Sequence, residues 1–358
     1  MKVLLIEDEQ DFVERFRVVT AAEDIILLTV HDVGLNKNFA DTSSIEQQLF
    51  SLFSELRAEK KVDIVVLDTD LSKIRTGISQ ASCRAACLAA GIPVCRYTKR
   101  HSQTAISHVR RLSRIGLEGS SAVWVPPEMV KGDLPGLALW LLAVHAGFSE
   151  LVSFLTQYPD LETAGGPAVL LADALGCPEI SADFLGYTAQ NVFFFAPSET
   201  DDEMSNPVDP VRLSTQLGYW LLNYILEFPG PILHSTAAAA FLNIEPSLFE
   251  SEEIQGLVSS SKYQGPFGNI APLFWRHRLL QILDQYEGDI ANAPLPAGFE
   301  LTRVDTEHPD SAAYFCVLSQ QPIAASDAGP NPDWIPAGAQ LACIKEELYE
   351  ELGPLLSI

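Results

Sequence analysis

The sequence is poor in basic residues. Lysine and arginine number 23 against 47 aspartates and glutamates, a formal net charge of −24 over 358 residues. The shortage is local: residues 1–150 hold 17 basic and 19 acidic side chains, whereas residues 151–358 hold 6 and 28, a net of −22. Such a segment repels phosphate, which argues against direct contact of the C-terminal part with nucleic acid or an anionic membrane surface. Cysteine is also sparse, with six residues and no CxxC pair, so the spacing supplies neither a zinc ribbon nor a disulfide framework. Reduced, buried thiols are expected. No stretch reaches 18 uncharged apolar residues; the longest, Leu134 to Phe148, contains Pro135 and His145 and is predicted to be a buried helix. The apolar run Lys2–Ile6 is cut short by Glu7-Asp8-Glu9, too early for a signal-peptide core. A soluble, cytoplasmic chain with no membrane partner is expected. P-loop, GxGxxG, HExxH and GxSxG motifs are all missing.

What is present is core material. Apolar residues make up 47% and aromatics 9%, enough for two folded domains, expected over 1–150 and 151–358. The first alternates strand and helix signals. Val3–Ile6, Ile25–Val30, Ile64–Leu67, Pro93–Tyr97 and Ala122–Val125 are short apolar runs. Between them lie amphipathic segments such as Gln10–Thr20, with Phe12, Phe16 and Val19 on one face, and Ile45–Leu56. Uninterrupted apolar strands separated by amphipathic helices predict an α/β domain, a doubly wound parallel five-stranded sheet covered on both faces.

In such sheets functional groups collect at the carboxyl ends of the strands. The first predicted strand ends in Glu7-Asp8-Glu9, the third in Asp68 and the fourth in Thr98. Carboxylates converging at one sheet edge repel one another unless a cation neutralises them, and Mg²⁺ is a natural occupant. The stretches KVLLIEDE (2–9), VDIVVLDTDL (62–71) and GIPVCRYT (91–98) resemble the receiver domain of two-component response regulators. The resemblance implies that Glu7, Asp8 and Asp68 bind Mg²⁺, that Asp68 accepts a phosphoryl group, and that Thr98 is the switch hydroxyl. It also implies a histidine kinase as a protein partner. One element of the family pattern is missing: the fifth strand, Ala122–Val125, runs into Pro126-Pro127 with no lysine, and none occurs between Lys99 and Lys131. Whether the domain switches by phosphorylation or serves as an unswitched docking module therefore stays open.

Arg96, Lys99, Arg100, His101, His108, Arg110, Arg111 and Arg114 form the one basic cluster of the sequence. Its cationic members are read as an electrostatic docking face for a protein partner or for the chain's own acidic half, with a solvated helix face as the plain alternative.

Residues 151–358 read as a mainly α-helical (α+β) output domain of no recognised family. Helices are expected over Val211–Glu227, Pro231–Leu242, Leu273–Tyr286 and Leu341–Leu352, paired strands over Phe299–Val304 and Ala313–Ser319, and a buried strand at 191–195. Arg276 and Arg278, beside Trp275, are candidates for an anion site or for ion pairs with nearby acids. His234, next to Ser235 and Thr236, reads as a helix-start histidine, and no histidine accompanies Cys177 locally. The leading reading is a receiver-like module controlling an output domain that acts by protein contact. An enzyme sited in the helical half, or an acidic mimic of nucleic acid, are the alternatives.

Overall fold

The computed structural model describes residues 1–37, 44–71, 74, 78–99, 105–118, 120–161, 163–187, 195 and 208–356. Arg100, His101 and nearly all of the expected strand at 191–195 lie outside the described residues.

In chain order the helices are α1 (Gln10–Ala22), α2 (Ile45–Ala58), α3 (Gln80–Ala89), α4 (Ala105–Glu118), α5 (Pro127–Gly132), α6 (Leu134–Gln157), α7 (Pro167–Ala174), α8 (Ser181–Leu185), α9 (Pro210–Trp220), α10 (Ser235–Phe241), α11 (Pro246–Phe249), α12 (Glu252–Leu257), α13 (Arg276–Asp284) and α14 (Glu346–Leu356). The strands are β1 (Lys2–Ile6), β2 (Ile26–Thr29), β3 (Ile64–Asp68), β4 (Val94–Tyr97), β5 (Val123–Trp124), β6 (Ile232–His234), β7 (Leu273–Trp275), β8 (Tyr314–Cys316), β9 (Gln321–Ile323), β10 (Ala328–Gly329) and β11 (Ala342–Lys345).

By its internal packing the chain divides into two compact units that interleave in sequence. The first comprises Met1–Ser102, Ser120–Ala164 and Phe193–Trp220; the second comprises Gln103–Gly119, Gly165–Val192 and Leu221–Ile358. The boundary expected near residue 150 falls inside α6.

The first unit is the predicted α/β sheet: five parallel strands in the order β2-β1-β3-β4-β5. Its central strands are uninterrupted apolar runs, Val3–Ile6 in β1 and Ile64–Leu67 in β3, because both faces are covered there. Leu4, Ile6, Val65 and Leu67 join Leu49, Phe53, Cys83 and Cys87 of α2 and α3 in one buried cluster. Alternate residues Val3, Leu5, Ile64 and Val66, also buried, lie by the strand pleat on the opposite face, where α1 and α6 pack together. α6 is long and apolar enough to cross a membrane by length and composition, yet it is a core helix, with Leu137, Trp140, Leu141, Val144, Phe148, Leu151 and Leu155 buried. α9, more than 50 residues further on, completes the unit by packing against α6. Gly218 allows this: a Cβ there would stand 2.2 Å from Cε1 of Phe148.

The second unit is mainly helical with small sheets, a mixed four-stranded one (β10-β11-β8-β9) and the antiparallel pair β6-β7. Three expected helices each begin instead with a strand, β6, β7 and β11, before turning helical at Ser235, Arg276 and Glu346. Residues 299–304 form no strand; Tyr314–Cys316 pairs with β9 and β11. α4, which follows β4 in sequence, belongs to this unit. It buries Val109, Leu112 and Ile115, and Gly116 lets it close on Trp334, whose carbonyl oxygen would lie 2.3 Å from a Cβ at 116.

The Tyr219 hydroxyl, buried and edge-on to Phe148 at 5.7 Å, accepts a hydrogen bond from the Val94 N–H at the start of β4 at 2.8 Å. Tyr219→Phe strands that buried amide, and the expected loss is about 1–3 kcal/mol of unfolding free energy in urea denaturation, with the secondary structure unchanged by circular dichroism.

Candidate functional site

The order β2-β1-β3 reverses direction at β1, so the crevice beyond the carboxyl ends of β1 and β3 is the topological switch point of the sheet. The acids implicated by the sequence stand there. Glu7 follows β1, Asp68 is the last residue of β3, and Thr98 and Lys99 follow β4. An open cavity of about 440 Å³ at this edge is lined by Asp8, Glu9, Asp68, Thr69, Asp70, Thr98 and Lys99.

Glu7 is 3% exposed. One of its carboxylate oxygens accepts the backbone N–H groups of Asp8 (2.9 Å) and Glu9 (2.7 Å). The other accepts the Tyr97 hydroxyl and lies 2.7 Å from the Lys99 ammonium. That ammonium also pairs with Glu9 and lies 3.8 Å from Oδ2 of Asp68. Its nitrogen sits 5.0 Å from the ring centre of Phe12, on which the Tyr97 ring stacks at 5.5 Å. Burial alone would pull the Lys99 pKa down, but hydrogen bonds to Glu7 and Glu9 outweigh it and hold the group above its ordinary value. The Lys99 hydrogen bond and charge hold Glu9 below its own. Asp68, 5% exposed, is pushed up to about 6, first by burial and further by the charge of Glu7, against the opposing hydrogen bond from the Asp70 N–H at 3.2 Å.

The three acids converge as expected: one carboxylate oxygen from each of Glu7, Asp8 and Asp68 lies within 4.8 Å of the other two. Three hard oxygen donors suit a small divalent cation. Glu7, however, is already committed to two amides, a phenol and an ammonium. Holding a metal through all three acids would require Glu7 to give up some of these partners. The electrostatic argument from sequence, that clustered carboxylates need a cation, is met by a side chain of the protein itself. Lys99 in this role, Tyr97 as the hydroxyl donor to Glu7, and Glu9 as a second partner of Lys99 were not read from the sequence. The position of Lys99 directly behind the Thr98 strand end was the available signal.

The six cationic candidates for a docking face have varied surroundings. Lys99 is held by the acid cluster. Arg96, on β4, lays its guanidinium 4.9 Å over the ring centre of Trp124. Arg111 is ion-paired to Glu227, with one of its N–H groups 3.1 Å from a carboxylate oxygen. Arg110 and Arg114 are exposed on α4, and Arg100 lies outside the described residues. Burial pushes the Glu227 pKa up, but the charge of Arg111 outweighs it and holds the carboxyl below its usual range.

In the second unit His234 caps α10, its Nδ1 accepting the Ala237 N–H at 3.3 Å, and its ring meets Phe315 edge-on at 4.7 Å. Burial depresses it to about 4, only partly countered by Glu227. Arg276 bonds Gln340 and lies 3.9 Å from Asp183; Arg278 donates to the Ser260 carbonyl at 3.5 Å. Both arginines are thus tied to protein acceptors.

No protein-family model and no curated protein sequence matches this chain.

Replacing Lys99 by methionine leaves a buried carboxylate cluster without its cation. The expected loss is about 2–3 kcal/mol at neutral pH, read as a lower urea midpoint. His234 gives a separate pH signature. Its folded pKa lies below the unfolded 6.5, so the unfolded state binds the proton first; stability is full above pH 6.5 and falls until about pH 4. The span is on the order of 3 kcal/mol. His234→Asn, which keeps a capping oxygen, should flatten the denaturation midpoint over that window.

Proposed function

We propose that the chain is an atypical response-regulator-like signalling protein, whose first unit receives a phosphoryl group at Asp68 and whose mainly helical unit acts by protein contact. One observation carries this reading. The Lys99 ammonium stands 2.7 Å from Glu7 and 3.8 Å from Asp68 at the switch point of a 2-1-3-4-5 parallel sheet. The resemblance requires a lysine near the acceptor aspartate and expects it after β5, where Val125-Pro126-Pro127 stands instead. Lys99 brings the same charge to the same place from β4.

The reaction uses groups already lining the cavity. An Asp68 carboxylate oxygen attacks the phosphorus of a phosphodonor, a histidine kinase in this reading; the donor's bond to phosphorus breaks and its electron pair leaves with it. A Mg²⁺ ion held by Asp8 and Asp68, with Glu7 beside them, would offset charge on the phosphoryl oxygens. Lys99 transfers its ammonium from Glu7 and Glu9 to a phosphoryl oxygen, and the Thr98 hydroxyl donates to another. Water later cleaves the acyl phosphate and restores the carboxylate. In this reading the signal leaves along the chain, which continues from Lys99 to α4 of the helical unit.

The test is incubation of the full-length protein with Mg²⁺ and acetyl phosphate, followed by intact-mass measurement. The expected result is a single hydroxylamine-sensitive phosphoryl adduct in the wild type, absent in Asp68→Asn and reduced in Lys99→Met. Undiminished labelling of Asp68→Asn overturns the assignment of the acceptor. A folded wild type that takes no adduct overturns the switch and leaves an unswitched docking module.

A further inference from the structure

Outside the acid cluster, one other group of side chains brings ligand atoms together among the described residues. Cys177, Glu179 and His277 all lie in the second unit, and a sulfur, a carboxylate oxygen and an imidazole nitrogen from them sit within 4.8 Å of one another. They come from two stretches a hundred residues apart, each pinned by its backbone. The Cys177 N–H donates to the Ala172 carbonyl at 3.0 Å and its own carbonyl accepts the Ile180 N–H at 3.1 Å, so Cys177 and Glu179 flank one tight turn after α7. His277 is the second residue of α13, which starts where the Arg276 N–H bonds the Pro231 carbonyl at 3.0 Å beside the β6-β7 ladder. The Trp275 ring, 5.4 Å away, bounds its imidazole.

We propose that Cys177, Glu179 and His277 form a zinc site with three protein ligands and an open fourth position. The donor set is the argument. Thiolate and imidazole favour a borderline-soft ion such as Zn²⁺ over Mg²⁺ or Ca²⁺, and three ligands with one vacant position is a recurrent arrangement of zinc. Charge closes too: one thiolate and one carboxylate balance a dication, with the imidazole neutral. Tetrahedral coordination with ordinary zinc bond lengths needs donor atoms about 3.5 Å apart, a side-chain adjustment from the present separations. Burial is graded in the useful direction, with Cys177 3% exposed, His277 half-buried and Glu179 exposed, so an ion enters from the carboxylate side.

The probe is Co²⁺ added to the metal-free full-length protein, followed by absorbance. One equivalent should produce a thiolate-to-cobalt charge-transfer band in the near ultraviolet that Zn²⁺ bleaches. The band should vanish in Cys177→Ser, and Zn²⁺ binding should weaken by at least about tenfold in His277→Gln and Glu179→Gln. It should persist in Asp8→Asn/Asp68→Asn, because the all-oxygen cluster offers no sulfur. Circular dichroism checks each variant's fold; should Cys177→Ser fail to fold, Cys177→Ala takes its place. Absence of the band in the folded wild type, or its survival in the cysteine variant, overturns the site.

Discussion

Lys99 stands among the acidic side chains gathered at one sheet edge and offsets their mutual repulsion. Glu7 and Asp68 are both buried, Glu7 directly after β1 and Asp68 as the last residue of β3, on strands that the hydrophobic core fixes in place. Neither can swing away to solvent without unmaking β1 or β3. The ammonium therefore has a structural role as well as the functional one proposed for it. Tyr97 fills the space beneath, giving its hydroxyl to Glu7 and its ring to Phe12, so the polar cluster rests on an aromatic floor. A cluster whose neutralising cation is a mobile four-carbon arm is also one that a competing ligand can rearrange.

The parallel sheet was legible because its strands are buried on both faces. Val3–Ile6 and Ile64–Leu67 leave no polar position to blur the pattern, and the acids mark where each strand ends. The functional geometry was half legible. Glu7, Asp8 and Asp68 were placed by strand ends, a local property. Lys99 looked like one more basic residue in a run of them, because the direction of a side chain just past a strand end depends on tertiary packing. The strands of the helical unit were hidden for another reason. Ile232–His234, Leu273–Trp275 and Ala342–Lys345 have three or four residues each and run straight into helices, so a period of two has no room to declare itself. Cys177 and His277 are a hundred residues apart, and no spacing rule reaches that far.

Charge asymmetry acquires a more definite meaning in this structure. Three described cations of the N-terminal third have specific partners: Lys99 serves the acid cluster, Arg111 serves Glu227, and Arg96 lies over Trp124. The acidic half recruits at least one of them internally. Part of the opposite charge carried by the two sequence halves is thus spent within the molecule, as specific pairs with defined donors and acceptors.

The interleaving of the two units governs how this protein can be made and handled. Tyr219 secures the first amide of β4, yet it is synthesised more than a hundred residues after that strand. A ribosome must release residues 208–220 before the parallel sheet unit can close, by which time α4 and α7 of the other unit are already outside the exit tunnel. Neither unit exists as a contiguous fragment, so neither can be shuffled onto another protein by a single recombination event, nor expressed alone by choosing two endpoints. The pair is inherited and translated as one interleaved chain.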